Sequence, residues 1–225
     1  MDFIPPVAQP LPLTFAATVT HPTFQRWLLL CVAAILTPGR RTITNLLRTI
    51  NVLVSGHPCR SPRVFSHRRW TVWSLGYALA SLSLTPWVPQ GPGSLAGDDR
   101  GEEHPGRKGF GKACPRAPVR SSHTFTAWRW GHKWVVLSIL VQFPFTHRPW
   151  ALPVLVALYR SEEWHPKHRR WHQTPAALLR QLVASLIHWF PQRHCRLAGD
   201  GSSGTPDLAR FAHRYRRPLT LGSRF

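Results

Sequence analysis

Leu95-Ala96-Gly97-Asp98-Asp99 and Leu197-Ala198-Gly199-Asp200 write the same phrase, Leu-Ala-Gly-Asp, at two places in the chain. Each reads as a short strand that ends in acid, with a loop behind it. The chain has 9 acidic residues against 29 Lys and Arg, a formal charge of +20, so acids placed at strand ends need a reason. Two carboxylates on adjacent strand ends repel each other, and a divalent cation removes the repulsion. Oxygen ligands select Mg2+ or Mn2+. Such ions activate water and stabilise the leaving oxygen during in-line attack on a phosphodiester. The plain alternative is that each Gly-Asp makes a turn or caps a helix.

Working outward, Met1 to Thr20 is Pro-rich and expected to be extended. Phe24 to Leu36 is an apolar helical run that Pro38-Gly39 ends. Thr42 to Val54 has helical apolar spacing, with Thr42 or Thr44 as cap, and Ser66 to Leu84 predicts a third helix. Residues 1–22 thus form a leading segment and 23–88 a helical unit that could touch DNA. After the first acidic phrase, Arg100 to Arg120 reads as a basic loop. Thr124 to Trp130 and Lys133 to Phe143 predict a hairpin turning at Gly131-His132. Trp150 to Leu158 predicts a further strand, in which Pro153 calls for an edge or a bulge. Thr174-Pro175 opens a helix through Trp189, His194 to Ala198 is a strand, Pro206 to His213 a helix, and Leu219 to Phe225 a strand.

Composition narrows the partner. A field of +20 attracts polyanions, so nucleic acid is the expected one. Arg107, Lys108, Lys112, Arg116 and Arg120 in one loop, and Lys167, Arg169 and Arg170 in another, are candidate phosphate contacts. Cys31, Cys59, Cys114 and Cys195 form no C-x-x-C pair and read as free thiols, not a zinc knuckle or a disulfide scaffold. His165, His168 and His172 are interrupted by Pro166 and lie in a basic loop that repels cations. The first twenty residues lack a basic start and predict no secretory signal. Thr71 to Val88 is uncharged, but its Ser, Thr, Gly and Pro content suits a core helix better than a span, so no membrane is expected.

Strand with acid, hairpin, strand, helix, strand with acid, helix, strand is the succession of the ribonuclease H-like fold. With His67-Arg68-Arg69-Trp70, Leu95 to Asp99, Ser122 to Phe125, Gly131 to Leu137, Leu197 to Gly201, Gly204-Thr205 and Asp207 to Phe211, the chain resembles insertion-sequence DDE transposases from about Thr23 to Phe225. The resemblance implies an α/β fold: a helical N-terminal unit, then over 89–225 an incomplete ribonuclease H-like mixed sheet. It implies that Asp99 and Asp200 are catalytic and hold Mg2+ or Mn2+, with Asp98 the neighbouring alternative for the first ligand. The family's third acid, a Glu on a later helix, is expected beyond Phe225. Glu102-Glu103 and Glu162-Glu163 read as solvated loop charges. Arg100 stands where the family tends to have Thr, and its charge would compete with metal for Asp99. Ser202-Ser203 replaces a Gly-aromatic pair.

The implied activity is metal-dependent DNA cleavage and strand transfer, here in a fragment inactive by itself. The implied partners are transposon ends, target DNA and further copies of the chain, in a bacterial cytoplasm at the nucleoid. The rival reading is a non-enzymatic basic nucleic-acid-binding protein in which the repeated phrase is accidental.

Overall fold

The computed structural model describes residues 4–53, 61–66, 70–88, 91–104, 109–112, 130–162, 171–199, 205–215 and 219–223. Contacts divide the chain into two compact units, Met1–Ala78 and Leu79–Phe225.

In the first unit the Pro-rich start is wound, not extended. Pro6–Ala8 and Ala16–Thr18 are 3-10 turns around helix α1 (Pro10–Leu13), and Pro occupies an early helical position in the first turn and in α1. A proline there gives up an N–H that had no helical partner anyway. Helix α2 (His21–Leu36) stops at Thr37, before Pro38 and a Gly39 with φ of +84°. Helix α3 (Ile43–Thr49) is capped by Thr42, whose side chain accepts from the Asn45 N–H. Leu30 and Ala33 of α2 pack on Leu46 of α3 and on Ile50. The third expected helix, Ser66 to Leu84, is met by α5 (Val72–Trp87), and a separate short α4 (Arg63–Ser66) lies before it, with residues 67–69 outside those described. Among the described residues no helix is long and apolar enough to cross a membrane.

The second unit is built on one mixed sheet. Its strands are β1 (Gly93–Glu103), β2 (Gly131–Val141), β3 (Trp150–Tyr159), β4 (Cys195–Gly199) and β5 (Leu219–Ser223). Their order is β3-β2-β1-β4-β5. Strands β1, β2 and β3 pair antiparallel, whereas β1 with β4 and β4 with β5 pair parallel. Helix α6 (Pro175–Trp189) links β3 to β4, and α7 (Pro206–Arg214) links β4 to β5. This is the expected α/β class: a mixed ribonuclease H-like sheet preceded by helices.

Local chemistry explains α6. Thr174 accepts from the Ala177 N–H, Pro175 takes the first turn, and Leu178, Leu179, Leu182, Val183 and Leu186 are buried. They join Leu95, Leu137, Ile139 and Leu197 of the sheet in one core. Pro153 does what a strand proline must: β3 is an edge, and its register with β2 slips between Leu137 and Ser138 beside it.

Two expectations for this sheet need correction. Asp98-Asp99 does not end a strand, because β1 runs on through Glu102 and Glu103, which also removes those two acids from the expected loop. The run is held by β2, whose partner of Glu103 is Gly131. Gly131-His132 is therefore not a hairpin turn but the start of β2. A Cβ on Gly131 would lie 2.9 Å from the Glu102 carbonyl carbon and nearer still to its oxygen, so the glycine serves close strand approach. Residues 124–129, the other arm of that hairpin, lie outside the described residues.

Candidate active site

The repeated phrase is repeated in space. Leu95 pairs with Leu197, Ala96 with Ala198 and Gly97 with Gly199, so the two copies lie side by side in parallel register. Strand β4 stops at Gly199, while β1 continues and beyond Gly97 pairs with β2 alone among the described strands. Asp98 and Asp99 thus stand where the central strand leaves its parallel neighbour. Asp200, next after Gly199, lies outside the described residues.

Gly97 lets α6 come close. A Cβ there would meet both Cδ atoms of Leu179 at 2.6 Å. This approach brings the N-terminus of α6 over the sheet beside the acids. A cavity of about 380 Å³ results, bordered by Asp98 and Asp99 on β1, Lys133 and Val135 on β2, Thr174 to Ala177 and Arg180 at the start of α6, and Thr205 and Asp207 at the start of α7. Thr205 caps α7 by accepting from the Leu208 N–H. Asp207 has an exposed partner in Arg210 at 3.4 Å, a contact of little energetic weight.

Strand alternation places Asp99 on the face of Leu95 and Gly97, and Asp98 on the other. The Asp98 carboxylate accepts from the Asp99 N–H at 2.8 Å. Asp99 is taken by Lys133, with Nζ 2.6 Å from Oδ2 and both side chains about a quarter exposed. The cation that meets Asp99 is therefore Lys133 and not Arg100, which is exposed and one residue on, hence on the opposite face.

Oxygen donors suit a hard divalent ion. As arranged, however, the described donors do not fit one: two adjacent carboxylates diverge to opposite faces, and one already holds an ammonium. Among the described residues no group of three or more His, Cys, Asp or Glu could hold a metal ion.

Of the candidate phosphate contacts, Lys112 is described, and its Nζ donates to the His104 carbonyl at 2.9 Å. Arg107, Lys108, Arg116, Arg120, Lys167, Arg169 and Arg170 lie outside the described residues. So do His165 and His168, whereas His172 Nε2 lies 3.3 Å from the Tyr159 hydroxyl. Sequence reasoning missed Lys133 and Arg180 as cavity residues. Lys133 is detectable only once the β1–β2 register is known, since some thirty residues separate it from Asp99.

A mixed sheet in this order, with paired acids on its central strand bordering a cavity, defines the class of ribonuclease H-like cores. The sequence profile described as DDE superfamily endonuclease matches residues 14–221, and the chain belongs to that superfamily. The piggyBac transposase in its synaptic complex with hairpin DNA aligns at a TM-score of 0.42 and 13% identity. That alignment covers 96% of this chain but 45% of the transposase, so the chain spans under half of that protein's length. Among curated proteins, none matches this sequence.

Proposed function

We propose that this chain is a DNA-binding member of the transposase machinery, with little or no strand-cleaving activity by itself. One observation carries the second half of that reading: the carboxylate expected to lead catalysis, Asp99, is held by Lys133. The charge of +20 and membership of the endonuclease superfamily support the first half. The substrate class is the DNA phosphodiester at transposon ends and target. Copies of the chain assemble on it at the nucleoid of a bacterial cytoplasm.

Two assays test this. In gel shifts against duplex DNA, affinity should fall steeply as salt rises from 50 to 200 mM, by on the order of a thousandfold if six or more phosphates are neutralised. Supercoiled plasmid with Mg2+ should remain intact over hours. Robust nicking that Asp99→Ala abolishes would overturn the inactivity, and salt-insensitive binding would overturn the phosphate reading.

A further inference from the structure

Lys133 reaches Asp99 by a route that the sheet prepares. Directly across from Lys133 on β1 is Gly101, and Asp99 lies opposite Val135, one diagonal step away on the same face. A long side chain spans such a diagonal. A Cβ on Gly101 would meet nothing within 4 Å, so the lysine stem has room to bend. On its other flank Lys133 pairs with Tyr159 of β3, and the ammonium lies 5.9 Å from that ring's centroid. Carboxylate and ring face therefore hold the cation from two strands, inside the cavity that the starts of α6 and α7 border.

We propose that Lys133 is a tethered counter-cation: its ammonium occupies the Asp99 carboxylate in place of a divalent ion, and such an ion binds only by displacing it. The proposal rests on the nuclease-like reading of the cavity and adds what keeps its first carboxylate closed. A tethered cation has two consequences. It neutralises the Asp99 carboxylate without metal, because the ammonium lies 2.6 Å from Oδ2. It also sets a threshold, because a free divalent ion competes with a charge whose effective concentration is high and constant.

Mn2+ binding to the full chain, followed by the electron-spin signal of the free ion, tests this without any activity readout. Lys133→Met should bind Mn2+ at least about tenfold more tightly than the unchanged chain. Lys133→Arg, which keeps the cation, should not. Asp99→Asn added to Lys133→Met should remove the gain. Equal Mn2+ affinity of the unchanged chain and a folded Lys133→Met variant overturns the proposal, as does a gain that survives Asp99→Asn.

Should Lys133→Met fail to fold, the unchanged chain decides. Acylation of Lys133 by an N-hydroxysuccinimide ester, read by peptide mass spectrometry, should quicken severalfold when Mn2+ is added. An unchanged rate at saturating Mn2+ overturns the proposal. Duplex binding in gel shifts is scored separately. If it persists while the Mn2+ results fail, the tether is wrong and the DNA reading stands. If duplex binding is lost while the Mn2+ gain is intact, the tether stands and the DNA reading is wrong.

Discussion

Replacing Gly97 with alanine sets a methyl group 2.6 Å from both Cδ atoms and 3.2 Å from Cγ of Leu179. Carbon atoms settle at about 3.5–4.0 Å, so the overlap is roughly 1 Å. Leu179 is 2% exposed and cannot swing into solvent. The substitution should therefore destabilise the sheet unit by about 1–3 kcal/mol, the usual range for overpacking. Leu179→Ala alone removes the three colliding atoms but leaves a cavity, which costs about 2–5 kcal/mol.

In combination the two changes should be far from additive. With Leu179 truncated, the new methyl fills space and replaces a strand glycine, a gain of about 0.5–1 kcal/mol in place of a loss. The expected coupling is about 1–3 kcal/mol in the direction that rescues the double variant. Urea-dependent hydrogen exchange read on peptides of β2 reports the unit's stability, and the cycle needs four proteins. Additivity within about 0.5 kcal/mol would refute the claim that Gly97 exists to seat α6. A shift of α6 away from β1 also widens the cavity at Thr174 and Arg180, so Gly97→Ala should loosen amide protection in the first turn of α6.

Gly131→Ala should cost about 3 kcal/mol or more, because the clash is with the Glu102 backbone and not with a movable side chain; a melting temperature within about 2 °C of the unchanged chain would contradict it. Cys31 is raised by burial from 9.0 to about 11. Its thiolate fraction at pH 8 is then about 100-fold below that of an ordinary thiol, and iodoacetamide should label it about 100-fold more slowly. A rate within threefold of glutathione's would sink that prediction. The folded thiol keeps its proton to higher pH than the unfolded one, so its contribution to stability is full below pH 9 and is lost as pH rises towards 11.

Helices were legible where their signals are local. Thr42 and Thr174 each cap the helix that follows, and Pro175 starts α6, because a cap and a first turn involve residues three or four apart. Pro153 named its own edge and bulge, since a residue without an N–H tolerates few other places in a sheet. Asp98 and Asp99 were found by a repeat whose two copies proved to be neighbouring strands in register. Such parallel repeats stay visible because each copy meets the same helix-covered sheet.

What the chain alone could not decide depends on pairing across long separations. The length of β1, the place of Gly131 and the meeting of Lys133 with Asp99 all follow from one antiparallel register. Nothing within a few residues of Asp99 sets that register, because it is fixed by burial of Leu95, Val135, Leu137 and Ile139 on a common face under α6. The sequence by itself singled out the acidic phrase and its aspartates. The tertiary structure decided that one of them already holds a lysine, since a slip of a single residue would have turned Lys133 to the other face of the sheet.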